Sequence, residues 1–547
     1  MVRNIFLLLS ILFITTASHS QNDTPKLVVG IVVDQMRYDY LTRFFNKYGD
    51  GGFKRMMNEG FNCKNNHYNY IPTKTGPGHA SIFTGTTPKF HGIIGNDWFD
   101  KELRRNVNCI EDNSVLALGT DSSDGKKSPV QMLVTTFADE NRLFTQLKGK
   151  TIGISLKHRG AILPAGHTAN AAYWWDYEHG GKGNWITSTF YMNALPKWVD
   201  EFNNSRMEQH YLKTWNTLYD INTYEESGTD SNQHERVLKG ETQSSFPHDL
   251  VKLKEDNGGL HVVANSPFGN SLTTDFTIKA IEAEQLGKDN FTDVLTVSYS
   301  STDKVGHDYG PNSIEVEDTY LRLDLELERL FNALDQMVGK GEYTVFLTSD
   351  HGAPHVPSYL TDNKIPSGLF DLNAMLKELN TYLFDTYKVS DLALSRINNQ
   401  IFLDHQKIEA HEINLQELKT KVSRKLLKYK LISNVYITSE INLFPESTGY
   451  QEVMLFNGHH QKRSGDILFT FTPEVFKDTD WNRTGTDHHS GFNYDTHVPL
   501  LFFGKGIKQG QTLQRTHITD IAPTISALLG ISFPNASIGQ PLEFVID

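Results

Sequence analysis

Beyond its first twenty residues, the sequence has no apolar run that approaches the ~20 residues a membrane-spanning helix needs. No cysteine lies near residue 20 either, so we expect neither a membrane anchor nor a lipid anchor. Basic residues are in deficit, with 52 Lys and Arg against 65 Asp and Glu and a formal charge of −13. This balance argues against nucleic-acid binding. An anionic substrate is still allowed, because a metal ion or local cations set the potential inside a cleft.

The N-terminal segment has a basic residue near its start, an apolar run from Ile5 to Ile14 and small residues up to Ser20. This pattern predicts a secretory signal peptide over residues 1–20, and hence a periplasmic or secreted protein after cleavage near Ser20. Oxidising compartments allow disulfides, so Cys63 and Cys109 are candidates for one. Two buried free thiols are the alternative.

The sequence also lacks internal repeats and low-complexity tracts. Its 547 residues suffice for one large domain with insertions or for several modules. Segments 26–37, 291–310 and 341–355 each consist of an apolar run that ends in an acidic residue. Between the last two, apolar residues recur at helical spacing over 314–338. We expect an α/β fold with a largely parallel central sheet and helices on both faces. Sites in such sheets form beyond the carboxyl ends of the strands, where these acids fall.

Two stretches interrupt this predicted core of residues 21–547. Residues 171–262 are rich in aromatic and polar side chains and have weak periodicity, which is typical of an inserted cap. A second insertion, of alternating helix-like and strand-like pieces, is expected over 369–450. The core should resume at the segments DILFTF and HVPLLFFG.

The stretch TKTGPGHASIFTG predicts a tight turn that opens a helix, with Thr75 at its N-terminal end. Unpaired N–H groups and the helix dipole favour an anion such as phosphate at that position. An ordinary threonine N-cap is the alternative for Thr75. The neighbouring Lys74 is expected to be a solvated loop lysine rather than a phosphate ligand.

Acidic and histidine side chains gather at the predicted strand ends. The candidates are Asp34, Asp303, His307, Asp350, His351, His488 and His489. Imidazole and carboxylate in comparable number suit zinc better than calcium or magnesium. Counting only one of the adjacent His488 and His489, six protein ligands are too many for one tetrahedral ion but suit two, and a two-metal site fits displacement at phosphorus. The Thr75 hydroxyl is the natural candidate nucleophile.

Seven motifs spread over nearly the whole mature chain together resemble one family. They are DQMR, TKTGPGHAS, GND, SLKHRGAI, STDKVGHDYG, SDHG and HVPLLFFG. The combination is similar to the alkaline phosphatase superfamily, and most of all to its PafA type. Members of that type are phosphate-irrepressible bacterial phosphomonoesterases that use threonine as nucleophile.

The resemblance implies a role for each matching residue. One zinc ion would be held by Asp34, Asp350, His351 and the Thr75 alkoxide, and a second by Asp303, His307 and His488. Thr75 would attack phosphorus and form a phosphothreonine that water hydrolyses, while the non-bridging oxygens would be bound by Asn96, Lys157 and Arg159. The family commonly has His-Gly where this chain has His488-His489, so His489 is the alternative ligand.

The nearest alternative is a phosphodiesterase of the nucleotide pyrophosphatase type, which uses the same metal ligands. Lys157 and Arg159 favour the monoesterase, because a monoester presents one more charged oxygen than a diester. A helix C-terminal cation cluster is the structural alternative for these two residues. A secreted metal-containing binding protein is a third hypothesis, and the modifiable Cys or Ser motif of a sulfatase is missing.

We expect broad activity on small phosphate monoesters, including sugar phosphates, nucleotides and aryl phosphates. The aromatic segment from Tyr173 to Trp185 is a candidate lining for the leaving-group side of the cleft. Apolar rings above an open site would tolerate many leaving groups. The acidic surface is also compatible with calcium, for which the sequence places no site.

Overall fold

The computed structural model describes residues 24–178, 181–443, 449–477 and 484–547. The signal peptide predicted for residues 1–20 lies outside these ranges. Within them, no helix is both long enough and apolar enough to cross a membrane.

A ten-stranded sheet forms the centre of the fold. In chain order its strands are β1 (Leu27–Val33), β2 (Phe61–Cys63), β3 (Ala117–Leu118), β4 (Thr151–Ser155), β5 (Ala171–Asp176), β6 (Asn184–Ser188), β7 (Asp293–Tyr299), β8 (Tyr343–Thr348), β9 (Leu500–Gly504) and β10 (Gly510–Thr512). Their order across the sheet is β10-β2-β9-β8-β1-β7-β4-β5-β6-β3. The five neighbours from β8 to β5 are all parallel, whereas β9 and β6 run antiparallel beside them. The predicted α/β class with a largely parallel sheet is confirmed.

Helices cover both faces of this sheet. Among the described residues, the helices of eight or more residues, whether they cover this sheet or belong to the insertions, are α1 (Thr75–Thr84), α2 (Phe137–Phe144), α3 (His158–Ala165), α4 (Lys197–Asn204), α5 (Phe268–Glu284), α6 (Ser301–Tyr309), α7 (Ile314–Leu334), α8 (Leu372–Tyr387), α9 (Leu415–Leu426), α10 (Tyr450–Gly458) and α11 (Ile521–Leu529). Val29 and Ile31 of β1 share a core with α5 and α7, whereas Val28 and Val32 share another with α1 and α11. This division is expected because alternate side chains of a strand point to opposite faces.

The prediction that residues 171–262 form an inserted cap is wrong for the first part of this range. Residues 171–176 are strand β5, which pairs in parallel with β4, and β6 follows as its antiparallel neighbour. Trp174 and Trp185 are almost completely buried there. Aromatic residues fit a sheet buried on both faces as well as they fit a cap, so composition misplaced these strands.

The second insertion extends further than predicted. The segment DILFTF, where the core was expected to resume, forms a strand of a separate four-stranded antiparallel sheet. The strands of this sheet are Ala393–Ser395, Gln400–Leu403, Ile432–Ile437 and Ile467–Phe471. Helices α8 and α9 contribute to the same apolar cluster. A short parallel pair of Gly368–Phe370 with Val475–Lys477 joins the two ends of the segment.

Cys63 and Cys109 are free thiols, so the candidate disulfide does not form. The two side chains are buried in different apolar clusters, and this separation prevents a bond between their sulfur atoms. Burial raises the pKa of both thiols to about 12. The alternative of two buried free thiols is therefore correct.

Candidate active site

Four neighbouring parallel strands end at one edge of the sheet, and each one delivers polar side chains there. Strand β8 leads into Asp350 and His351, β1 into Asp34, β7 into helix α6, and β4 into Lys157. Parallel strands place their carboxyl ends side by side, so residues far apart in sequence meet at this edge.

Asp303 lies at the centre of the cluster. Its Oδ1 is 3.1 Å from Nε2 of His307, 3.8 Å from Nε2 of His488 and 4.0 Å from Nε2 of His351. The spacing of four residues on α6 puts Asp303 and His307 on one face of the helix. The His351 and His488 rings stack, with centroids 3.3 Å apart.

All three histidines are held in the same way, through Nδ1. His307 Nδ1 is 2.8 Å from the Thr486 carbonyl oxygen, and His488 Nδ1 is 2.8 Å from that of Thr73. His351 Nδ1 is 3.0 Å from the carbonyl oxygen of Gly352. An N–H at Nδ1 that donates to a carbonyl leaves the lone pair of a neutral imidazole on Nε2, as in metal-binding histidines.

The donor atoms fit a divalent cation. Asp34 Oδ1, Asp350 Oδ2 and His351 Nε2 are buried and lack any hydrogen-bond partner among the described residues. They belong to a group of ligand atoms that lie within 4.8 Å of one another. Such buried acceptors are costly unless they are satisfied, and a cation satisfies all three together. Two further groups of candidate ligands continue the cluster. One consists of Asp303, His351 and His488, and the other consists of His307, Asp487 and His488.

Electrostatics around the carboxylates agree with this fit. Burial, together with the charge of Asp303, raises the pKa of Asp34. Burial and Asp34 raise the pKa of Asp350 well above its usual range. Burial would also raise the pKa of Asp303, but His307 and Lys157 lower it well below the usual value. Burial would lower the pKa of His307, yet Asp303 raises it to about 9, so metal binding there would release a proton.

Lys157 stands between two of the predicted metal ligands. Its Nζ is 2.7 Å from Asp34 Oδ2 and 2.5 Å from Asp303 Oδ2. Burial would lower the pKa of Lys157, but the two carboxylates raise it. Its ammonium group therefore contacts both the group of candidate ligands that contains Asp34 and the group that contains Asp303.

Lys157 caps the N-terminus of α3, and Arg159 is the second residue of that helix. The alternative that they form a cation cluster at a helix C-terminus is wrong, because the dipole at an N-terminus favours anions. Nε of Arg159 is buried and has no hydrogen-bond partner within the described ranges. With Lys157, Trp175 and Tyr177, Arg159 lines a cavity of about 60 Å³. The segment Tyr173–Trp185 thus contributes to the same side of the site as the two cations.

Helix α1 begins at Thr75 and is fixed against the end of β8. Lys74 occupies the N-cap position, without a side-chain cap bond, so the alternative of a Thr75 N-cap is wrong. A Cβ at Gly78 would come within 2.4 Å of the Asp350 carbonyl oxygen, so only glycine permits this close approach. Nδ1 of His79 is 2.8 Å from the Thr75 carbonyl oxygen and 3.5 Å from Asp350 Oδ2.

Asn96 is joined to the same helix N-terminus. Its Oδ1 accepts a hydrogen bond of 2.7 Å from the backbone N–H of Gly76. Gly76 follows Thr75 directly, so the amide of Asn96 is held beside the Thr75 position.

Among the described residues, His489 belongs to none of the candidate metal groups. Its ring packs edge-on against Phe471, and its backbone N–H donates to Asp495 Oδ2 at 3.2 Å. Sequence reasoning missed Asp487, whose carboxylate contacts Lys477 Nζ at 3.1 Å and joins His307 and His488 in a candidate metal group. Its position directly before His488 was the available signal.

The sequence matches the model of the family "Type I phosphodiesterase / nucleotide pyrophosphatase" over residues 28–494. The alkaline phosphatase PhoV of Synechococcus elongatus is 46% identical, covering 94% of this chain and 92% of its own length. A Myroides odoratus protein named calcium-transporting ATPase is also 46% identical, covering 96% of this chain and 95% of its own.

The fold is similar to the crystal structure of alkaline phosphatase PafA, with a TM-score of 0.91 and 44% identity. The alignment covers 96% of this chain and 99% of that one. A variant of PafA changed at one threonine, one asparagine, one lysine and one arginine matches with the same TM-score.

Proposed function

Since the chain belongs to the alkaline phosphatases of the PafA and PhoV type, within the type I phosphodiesterase and nucleotide pyrophosphatase family, we propose that this phosphatase is a two-zinc phosphomonoesterase. Thr75 would take the phosphoryl group before water releases inorganic phosphate. The enzyme would accept sugar phosphates, nucleotides and aryl phosphates. We also propose export, on the strength of the apolar run from Ile5 to Ile14.

One observation carries this proposal: acidic and histidine side chains from separate strand ends converge with their acceptor atoms turned inward. Asp34, Asp350 and His351 would hold one zinc ion together with Thr75, and the second would be held by Asp303, His307 and His488. When bound, the two ions would supply Lewis acidity that favours the nucleophilic alkoxide and offsets charge on the leaving oxygen.

Residues of the chain would bind and orient the phosphoryl group. Thr75 is the first residue of α1, where the positive end of the helix dipole attracts an anion. Asn96 is held beside that residue by its bond to Gly76. Lys157 and Arg159 at the start of α3 would donate to the non-bridging oxygens, and a guanidinium can give two bonds at once. The PafA variant changed at the same four residue types supports these assignments.

The two cations favour a monoesterase over the phosphodiesterase alternative. A monoester carries three charged or partly charged oxygens in the transition state, whereas a diester replaces one with an ester group. Lys157 and Arg159 therefore stabilise the monoester transition state more than the diester one. ATP, the substrate implied by the name of the Myroides relative, falls within the proposed nucleotide class.

The test measures kcat/KM of the zinc-loaded enzyme for an aryl phosphomonoester and the matching methyl diester. We expect a strong monoester preference, and each of Lys157→Ala and Arg159→Ala should reduce it by about tenfold to a hundredfold. Lys340→Ala removes an exposed cation and serves as the control. A diester preference in the unmodified enzyme, unaffected by either variant, would favour the phosphodiesterase instead.

A further inference from the structure

A cavity of about 130 Å³ lies beside the candidate active site, between the turn before α1 and the second insertion. Cations dominate its polar lining, because Lys74, Arg396 and Lys477 are accompanied by a single carboxylate, that of Asp487. The side-chain amide of Asn399 is a further lining group. The excess of positive charge suits an anionic ligand.

Two of the three cations have unused hydrogen-bonding capacity. Lys74 is half-buried, and its ammonium group has neither a hydrogen bond nor an ion pair with any described residue. Arg396 donates to Asn373 from one terminal nitrogen, but its Nε is buried without a hydrogen-bond partner in the described ranges. Lys477, by contrast, pairs with Asp487 at 3.1 Å. Unpaired cations in a cleft are a feature expected of a site for an anion.

The cavity lies beside the proposed catalytic residues, and some of its lining residues are their neighbours in the sequence. Lys74 directly precedes Thr75, and Asp487 joins His307 and His488 in a candidate metal group. The loop that carries Arg396 is tied to the site, because Asn398 Nδ2 donates to the Asp97 carbonyl oxygen at 2.7 Å. The cavity thus adjoins His307 and His488, which are proposed to hold the second zinc ion, the one that would offset charge on the leaving oxygen.

We propose that this cavity is a subsite for a second anionic group on the leaving group of the substrate, a carboxylate or another phosphate. This inference rests on the proposed phosphomonoesterase function, and it narrows the substrate class to monoesters that carry a further negative charge. Arg396 and Lys74 would donate charge-assisted hydrogen bonds to that group. The three cations come from the turn before α1 and from the second insertion, so the insertion would contribute to substrate selection.

The test compares kcat/KM of the zinc-loaded enzyme for 3-carboxyphenyl phosphate and phenyl phosphate, which differ by one carboxylate and have leaving groups of similar basicity. We expect a preference of about fivefold or more for the carboxylated substrate. Arg396→Gln and Lys74→Met should each bring the ratio towards one, mainly through KM. Lys377→Gln removes an exposed cation from α8 and should leave the ratio unchanged.

A ratio near one in the unmodified enzyme would overturn the subsite while leaving the monoesterase intact. A ratio that survives both Arg396→Gln and Lys74→Met would overturn it as well. Failure to hydrolyse either monoester, with diester activity present, would instead overturn the proposed function and the subsite with it.

Discussion

His488 and His489 are adjacent in sequence, but their rings lie in different surroundings. His488 stacks on His351 and directs Nε2 towards Asp303, whereas His489 packs against Phe471. A hydrogen bond from His488 Nδ1 to the Thr73 carbonyl oxygen holds the first ring in this orientation. A hydrogen bond of this kind, from Nδ1 to a carbonyl oxygen, orients a metal-binding imidazole.

We therefore expect His488→Ala and His489→Ala to behave differently. His488→Ala should lose about one zinc ion per chain and most phosphatase activity, because no other imidazole replaces its Nε2. His489→Ala should retain both ions, and the two variants are matched controls for each other. Elemental analysis of zinc in the dialysed proteins measures the difference, and equal zinc loss in both would contradict the assignment.

The membership of a residue in the candidate metal site could be predicted where that residue closely follows a strand. Asp34, Asp350 and His351 were identified because an apolar run leads straight into each of them. No strand among the described residues leads directly into Asp487, and its place beside His307 depends on tertiary packing, so the sequence carried no comparable signal for it. The half-buried position of Lys74 was likewise missed, because the cavity wall comes from a distant insertion.

At the level of elements, a buried ionic cluster joins the segment before α5 to the N-terminal turn of α7. His248, in the short strand His248–Asp249, contacts Glu241 at 2.8 Å and Glu315 at 3.2 Å. Burial would lower the pKa of His248, but the two carboxylates raise it to about 9. Burial and Glu315 also raise the pKa of Glu235 to about 10, so its ionisation would destabilise the same segment.

This cluster predicts a loss of stability at alkaline pH. A histidine whose pKa is raised on folding stabilises the fold fully below about pH 6.5, and this contribution of up to about 3 kcal/mol disappears as the pH rises through about 9. Thermal unfolding of the zinc-loaded protein and of His248→Gln should therefore differ most at about pH 6.5 and below. The two melting curves should approach each other by about pH 10. A constant difference across that range would show that His248 stays neutral in the folded protein.

Element type was predictable for the central strands, but sheet membership was not. The runs that became β1, β7 and β8 end in polar residues and flank a helix of regular apolar spacing, so their parallel arrangement followed from the pattern. DILFTF and the strand β5 have equally buried residues, yet one joined the smaller sheet and the other the central one. Pairing partners are chosen by tertiary packing, which a local pattern does not encode.

At the scale of the whole molecule, the parallel sheet brings four strand ends to one edge, and the helices after them face the same space. Strands β8, β1, β7 and β4 are consecutive neighbours there, and α1 and α3 present their N-termini beside them. The proposed metal ligands, nucleophile and cations thus come from segments spread over most of the chain. We propose that these parts act together through a covalent phosphoryl-enzyme on Thr75.

The stereochemical course at phosphorus distinguishes this covalent intermediate from direct transfer to the acceptor. The zinc-loaded enzyme would transfer the phosphoryl group of an isotopically chiral phosphate monoester to an acceptor alcohol, and the configuration of the product would be determined by phosphorus NMR. Each in-line displacement inverts phosphorus, so transfer to Thr75 and then to the acceptor predicts net retention. Net inversion would mean a single direct displacement and would contradict a phosphothreonine intermediate.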